Sequence, residues 1–328
     1  MKLCSLLLLA AFAVFAQAPT IIIGPHYASA VPTVAQGKPS RATIAGTPVL
    51  GFVAGPNALD LRAIVGTASA ARLGDAVSVP ETAKHLYLSP RQRYALVEQD
   101  GSLAIWRLGG AEPRNTLTPI AITASHPDLV AFSPRGEAVA LYSRSSGRLQ
   151  IIVGLPMKPS VISEIPAAAV GDASGFALSD DAKAIIAVSP DSNALFVFNS
   201  SAWHSLPTGY MPSAWSFLPN THDLVISDPT QNVVALLSNV DEPGPAVHII
   251  AQGIGPNFVA AAKGGDIVIL ADSKSGTIWS VEPKTMVLRQ LSSGMRIDSL
   301  ALLRDGHTAL LSVSPTLSLF QVPSAAGY

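Results

Sequence analysis

Short apolar runs, punctuated by Ser-Pro, Asp-Gly and Asn turns, recur along this chain with a period of roughly 40–45 residues. Each unit has an apolar strand ending in a turn, a second strand, a tight Gly or Asn hairpin and a third strand. One copy reads Leu86-Tyr87-Leu88-Ser89-Pro90, Tyr94 to Val97, Asp100-Gly101, then Leu103 to Trp106. The next has Val130-Ala131-Phe132-Ser133-Pro134, Ala138 to Leu141, Gly147, and Leu149 to Val153. A third has Phe176 to Asp180, Ala184 to Val188, Asn193, and Leu195 to Phe198. Further copies begin at Trp215, Val259 and Leu300, and a fainter one runs Val49 to Val53 followed by Leu61 to Val65. That makes seven.

The hairpin positions Gly101, Gly147, Asn193, Asn232 and Gly276 are spaced by 46, 46, 39 and 44 residues. They fall where two adjacent antiparallel strands need a residue with positive φ, which Gly and Asn tolerate best. Many strands are apolar on successive residues, as expected when both faces of a sheet are covered. Segments such as Ser160 to Ile165 and Ala246 to Ala251 leave room for a fourth strand. Small residues recur in the middle of the first strand, at Ala131, Ala177, Ser216, Ala260 and Ala301. There they would let inner strands approach a common axis. The pattern predicts an all-β protein: a single β-propeller of seven four-stranded antiparallel blades over residues 48–328. The last unit stops soon after its third strand, so Thr20 to Gly46 is expected to close the ring as its missing outer strand.

The N-terminus reads differently. Lys2 precedes an unbroken apolar run from Leu6 to Ala16, too short to cross a bilayer core that needs about 20 residues. Residues 1–16 are expected to be a secretory signal, which places the protein in the periplasm or outside the cell, and 17–47 an N-terminal segment. The sole cysteine, Cys4, lies in that signal, so no disulfide or thiol nucleophile is expected after cleavage.

Composition narrows the partners. Lys and Arg total 21 against 22 Asp and Glu, a balance without the basic excess that a nucleic-acid or anionic-membrane surface requires. Charged residues are only 13% of the chain, and 48% are hydrophobic, which excludes a disordered protein. A monomer is expected.

The repeat resembles the bacterial secreted propellers that include YVTN-type and TolB-like repeats, over about residues 48–323. Pro48 to Val53, Leu61 to Gly66 and Ser89 to Leu96 are similar to segments of exported propeller proteins of soil bacteria. These motifs are strands and turns, so the resemblance implies a fold and not a chemistry. The Trp-Asp dipeptide of eukaryotic WD blades is absent, since Trp106 precedes Arg107 and Trp279 precedes Ser280.

Local catalytic motifs are missing. There is no Gly-x-Ser-x-Gly elbow and no Ser-x-x-Lys pair. Gly253-x-Gly255 leads into a strand rather than a helix, so it is no dinucleotide fingerprint. None of the seven histidines has another three or four residues away, so no local metal site is visible and no cofactor is expected. Asp180-Asp181 reads as turn capping. One distributed set remains. His85, Asp128, Asn257 and Asp298 precede first strands and would face the axial channel from different blades. They would either cap loops at a wet channel mouth or hold a metal, as the carboxylate and Asn ligands of propeller lactonases do. Trp106, Trp203, Trp215 and Trp279 can stack on a sugar, but at least Trp106, Trp215 and Trp279 lie in expected strands and are read as blade packing. The function expected is a binding or protein-interaction scaffold for a protein, small-molecule or glycan partner. A metal-dependent lactonase-like hydrolase is the alternative.

Overall fold

The computed structural model describes residues 48–54, 60–79, 81–109, 117–120, 126–199, 201–313 and 316–323. Blade one comprises β1 (Val49–Ala54), β2 (Leu61–Val65) and β3 (Arg72–Val77). Blade two follows with β4 (Ala83–Leu88), β5 (Tyr94–Gln99), β6 (Ser102–Arg107) and β7 (Leu117–Ile120). Blade three has β8 (Leu129–Phe132), β9 (Ala138–Ser143), β10 (Arg148–Val153) and β11 (Ser160–Pro166). In blade four lie β12 (Gly175–Leu178), β13 (Ile185–Ser189), β14 (Ala194–Asn199) and β15 (Ala202–Leu206). Blade five is built from β16 (Ala214–Phe217), β17 (Leu224–Asp228), β18 (Val233–Ser238) and β19 (Ala246–Gln252). Blade six holds β20 (Phe258–Ala261), β21 (Val268–Asp272), β22 (Thr277–Glu282) and β23 (Val287–Ser292). Blade seven holds β24 (Ala301–Leu302), β25 (Thr308–Ser312) and β26 (Ser318–Gln321).

Every blade is an antiparallel meander, and β8, β12, β16 and β20 touch one another in turn, so the first strands line the axis. The tight hairpins form where the spacing placed them. Gly101, Gly147, Asn193, Asn232 and Gly276 all have positive φ, between 47° and 80°. The turns after three of the inner strands are explained by hydrogen bonding. Ser89, Ser133 and Ser179 are buried, and their backbone N–H groups donate to the carbonyls of Tyr94, Ala138 and Ala184 at 2.9–3.0 Å. Their hydroxyls accept from the N–H of the same three residues, which closes each turn twice.

Each of seven buried clusters draws its side chains from two neighbouring blades. Alternate residues of one strand serve opposite seams. Tyr94 and Leu96 of β5 enter the seam with blade three, while Ala95 and Val97 enter the seam with blade one. This is why the strands are apolar on successive residues. The seventh cluster closes the ring: Ile64 of blade one packs with Ala301, Leu303 and Leu310 of blade seven. Arg304 adds a backbone bond to the Leu50 carbonyl at 3.1 Å and a guanidinium over the Phe52 ring.

Five of the seven sheets have the expected four strands. Among the described residues, blades one and seven show three each. The closing strand assigned to Thr20–Gly46 lies outside the described residues, as does the segment read as a signal.

Candidate functional site

The ring has two unlike faces. On the upper face the inner strands begin and the hairpins between second and third strands project. On the lower face lie the turns between first and second strands.

One position recurs on the upper face, directly before the inner strand or, in blade seven, three residues before it. Asp128, Ser174, Ser213, Asn257 and Asp298 each donate their backbone N–H to a second-strand carbonyl, at 2.7–3.0 Å. Three of their side chains then reach the turn or strand end beyond. Asp128 accepts from the Arg144 N–H at 2.7 Å, and Asn257 both accepts from and donates to Ser273 at 2.8 Å. Asp298 accepts from the Ser312 hydroxyl at 2.6 Å and from Arg296. Asp128, Asn257 and Asp298 therefore each tie down a turn or strand end of their own blade.

His85 stands apart from the other three. The pairing of β4 with β5 shifts between Ala83 and His85, and His85 sits opposite Glu98 inside the strand. In register it matches Leu129, not Asp128. The recurring position in blade two belongs to Lys84, which pairs with Asp100 at 3.1 Å. Among the described residues, no three His, Cys, Asp or Glu side chains converge on one metal position.

What His85 does join is a cluster that the sequence reading missed. Glu98 continues the Tyr94–Leu96 side of β5, so its carboxylate enters the seam with blade three. Its side chain is only 3% exposed. One oxygen accepts from His85 Nδ1 at 3.0 Å and weakly from the Tyr87 hydroxyl at 3.5 Å. The other contacts Nδ1 of His126, on the segment leading into blade three. Burial, then the neighbouring Glu98 charge, pushes the Tyr87 phenol up, so it stays protonated. A signal was present in the sequence. Tyr87 occupies the mid-strand position where five other blades carry Ala131, Ala177, Ser216, Ala260 and Ala301.

A second upper-face feature is a cleft of about 630 Å³ between blades five and six. Asn232, Asn257, Ser273, Lys274, Ser275, Thr277 and Trp279 line it. Asp272, also in the wall, is held by the N–H groups of Lys274 and Ser275 and by the Ser275 hydroxyl. Trp203 and Trp215 donate their indole N–H to the carbonyls of Pro166 and Phe176. No such bond is present for Trp279 among the described residues. Trp106, Trp215 and Trp279 are buried in seams, as read from the sequence, although Trp279 also borders the cleft.

The lower face is occupied differently. Asp180 accepts from the Arg135 N–H at 2.7 Å and the Asn220 N–H at 2.9 Å, and so joins blades three, four and five. Arg135 also donates to the Asn220 side chain at 2.7 Å. His222 lies between Asp181 (3.0 Å) and Asp241 (2.7 Å). Burial alone would lower His222, but its bonds and charge contacts to the two carboxylates raise it overall. Burial likewise opposes ionisation of Asp181, yet bonds from Ser179, Lys183 and His222 bring it down to about 2. The Asp180-Asp181 pair thus caps its turn, as expected, and also stitches blades together.

With both faces described, the chain can be placed among known proteins. No family model and no curated protein matches it. A functionally unknown protein from Desulfotomaculum acetoxidans superimposes with a TM-score of 0.59 at 15% identity, over 84% of this chain and 93% of that one. The periplasmic gluconolactonase of Pseudomonas aeruginosa gives 0.53 at 14% identity, over 86% and 93%. A chain of a mitotic checkpoint complex gives 0.54 at 12%, over 90% and 99%. These likenesses concern the fold alone. The chain is a seven-bladed β-propeller. The finer resemblance to YVTN-type and TolB-like repeats is carried only by the residues quoted for it.

Proposed function

We propose that this propeller is a binding module whose ligand-contacting surface is the upper face, with the cleft between blades five and six receiving a polyhydroxylated, sugar-like ligand. The observation that carries the reading is the lining of that cleft: amide and hydroxyl side chains arranged beside one indole, Trp279. Amides and hydroxyls exchange hydrogen bonds with sugar hydroxyls, and an aromatic ring supplies an apolar wall. The volume of about 630 Å³ falls in the usual range of small-molecule sites. The lower face supports the reading by contrast, because Arg135, Asp180, Asn220 and His222 are committed to holding blades together.

Export to the periplasm or beyond belongs to this proposal, on the strength of Lys2 and the run Leu6 to Ala16. The lactonase alternative would draw on Asp128, Asn257 and Asp298. Those side chains already bond within their own blades, so no observation favours it over binding.

A glycan array followed by calorimetric titration tests the proposal. Binding should survive chelation and weaken at least about tenfold in Asn257→Ala and Lys274→Ala, the loss expected for about 1.4 kcal/mol of contacts. Absence of glycan binding, or binding indifferent to both substitutions, would overturn it.

A further inference from the structure

The two sheets with three described strands end in unlike edges. In blade one the third strand is β3, and only residues 78–82 separate it from β4. Its Arg72, Asp75 and Ala76 are exposed and Gly74 interrupts it, the marks of an edge fit to face water. Blade seven is different. Its third strand β26 reads Ser318-Leu319-Phe320-Gln321, without a charge, a Pro or a Gly. Leu319 packs toward the seam with blade one and Phe320 toward the seam with blade six, yet both are only half-buried. The corresponding strands β6, β10, β18 and β22 each bury at least four consecutive residues beside a fourth strand. Among the described residues β26 pairs with β25 alone, so its outer side is an apolar edge without the usual guards against another strand.

Strand direction decides what fits there. Inner strands start on the upper face, so second strands rise, third strands descend and fourth strands rise again. A fourth strand beside β26 therefore ends on the upper face, where β1 begins at Val49. In blades two to six the fourth strands end at Ile120, Pro166, Leu206, Gln252 and Ser292. The inner strands that follow start at Leu129, Gly175, Ala214, Phe258 and Ala301, six to nine positions on. Counted back from Val49, the same interval ends a fourth strand between Ser40 and Thr43. We propose that Ala35 to Thr43 is the strand that docks on β26, completing blade seven and excluding other chains from its edge. Within Thr20 to Gly46, this stretch has the right distance from β1. Its composition suits an outermost strand, because Lys38, Pro39 and Arg41 discourage further pairing on the far side. Pro119 and Pro166 lie in the outer strands β7 and β11 in the same way.

Hydrogen–deuterium exchange of the full chain tests the proposal, beside three variants: deletion of residues 35–43, Arg41→Pro and Ala42→Pro. In the wild type, amides within residues 35–43 and the outward amides of β26 should be protected. The deletion should speed exchange in β26 at least about tenfold and leave blades three to five unchanged. A synthetic peptide of residues 30–47 should restore that protection. A strand turns alternate N–H groups toward its neighbour, so one of the two proline variants should free β26 and the other should not. If the deletion prevents folding, the proline pair still decides. Exchange in β26 unchanged by the deletion would overturn the proposal. Light scattering then tells whether a second copy or residues after Pro323 cover the edge. Free-peptide exchange rates across residues 35–43 in the wild type would overturn it as well, and so would equal effects of the two proline variants.

Discussion

The Gln92 side chain pairs with the Phe52 backbone on both sides, accepting its N–H at 2.7 Å and donating to its carbonyl at 2.9 Å. Gln92 is fully buried, so it acts as a short extra strand segment that joins the Ser-Pro turn of blade two to the inner strand of blade one. Gln92→Ala would leave two buried backbone groups without partners, a loss of about 2–4 kcal/mol. Gln92→Glu should be worse, because it places an acceptor against the Phe52 carbonyl. Urea unfolding at constant m-value measures both.

Two glycines at equivalent hairpins separate conformational strain from steric crowding. Gly147 and Gly276 have nearly the same φ, 60° and 67°, but a Cβ on Gly147 would meet nothing, whereas one on Gly276 would collide with the Met295 backbone. Gly147→Ala should therefore cost about 1–2 kcal/mol, from the left-handed conformation alone. Gly276→Ala should cost about 1–3 kcal/mol more. Equal midpoints for the two variants would contradict the assignment.

The His222 bridge predicts a pH dependence with a definite sign. A raised histidine adds stability that is present in full below its unfolded value of 6.5 and is lost as pH climbs through its folded value. A depressed Asp181 adds stability that is present above 3.8 and is lost as pH falls through about 2. The gap in melting temperature between wild type and His222→Gln should accordingly be widest near about pH 5 and shrink as pH rises above 6.5.

Asp180 joins three blades through partly exposed bonds, so water can replace part of what Asp180→Ala removes. A loss of about 1 kcal/mol is expected. Amide exchange should quicken at Arg135 and Asn220 and stay unchanged in blades one and seven.

The sequence carried the fold through features that local physics imposes. Positive φ at Asn193 and Asn232, buried turn serines and two-sided burial of β5, β9 and β17 follow from residue type and spacing. Much of the candidate site depended on what spacing does not show. The shifted pairing of β4 moved His85 one place from the capping position and set it opposite Glu98. Glu98 itself was hidden as a charge ending an apolar strand, and His126 reaches it only because blade three closes on blade two. The lower-face stitch of Arg135, Asp180 and Asn220 links residues up to 85 apart, so it exists only once the ring has formed.

Hydrogen–deuterium exchange with and without saturating glycan tests most directly whether the upper-face cleft is the binding surface. Protection should appear at residues 229–232, 253–257 and 272–277, which border the cleft between blades five and six. Protection centred instead on the lower-face turns around Asp180, Asn220 and Lys263, with the cleft unchanged, would contradict it.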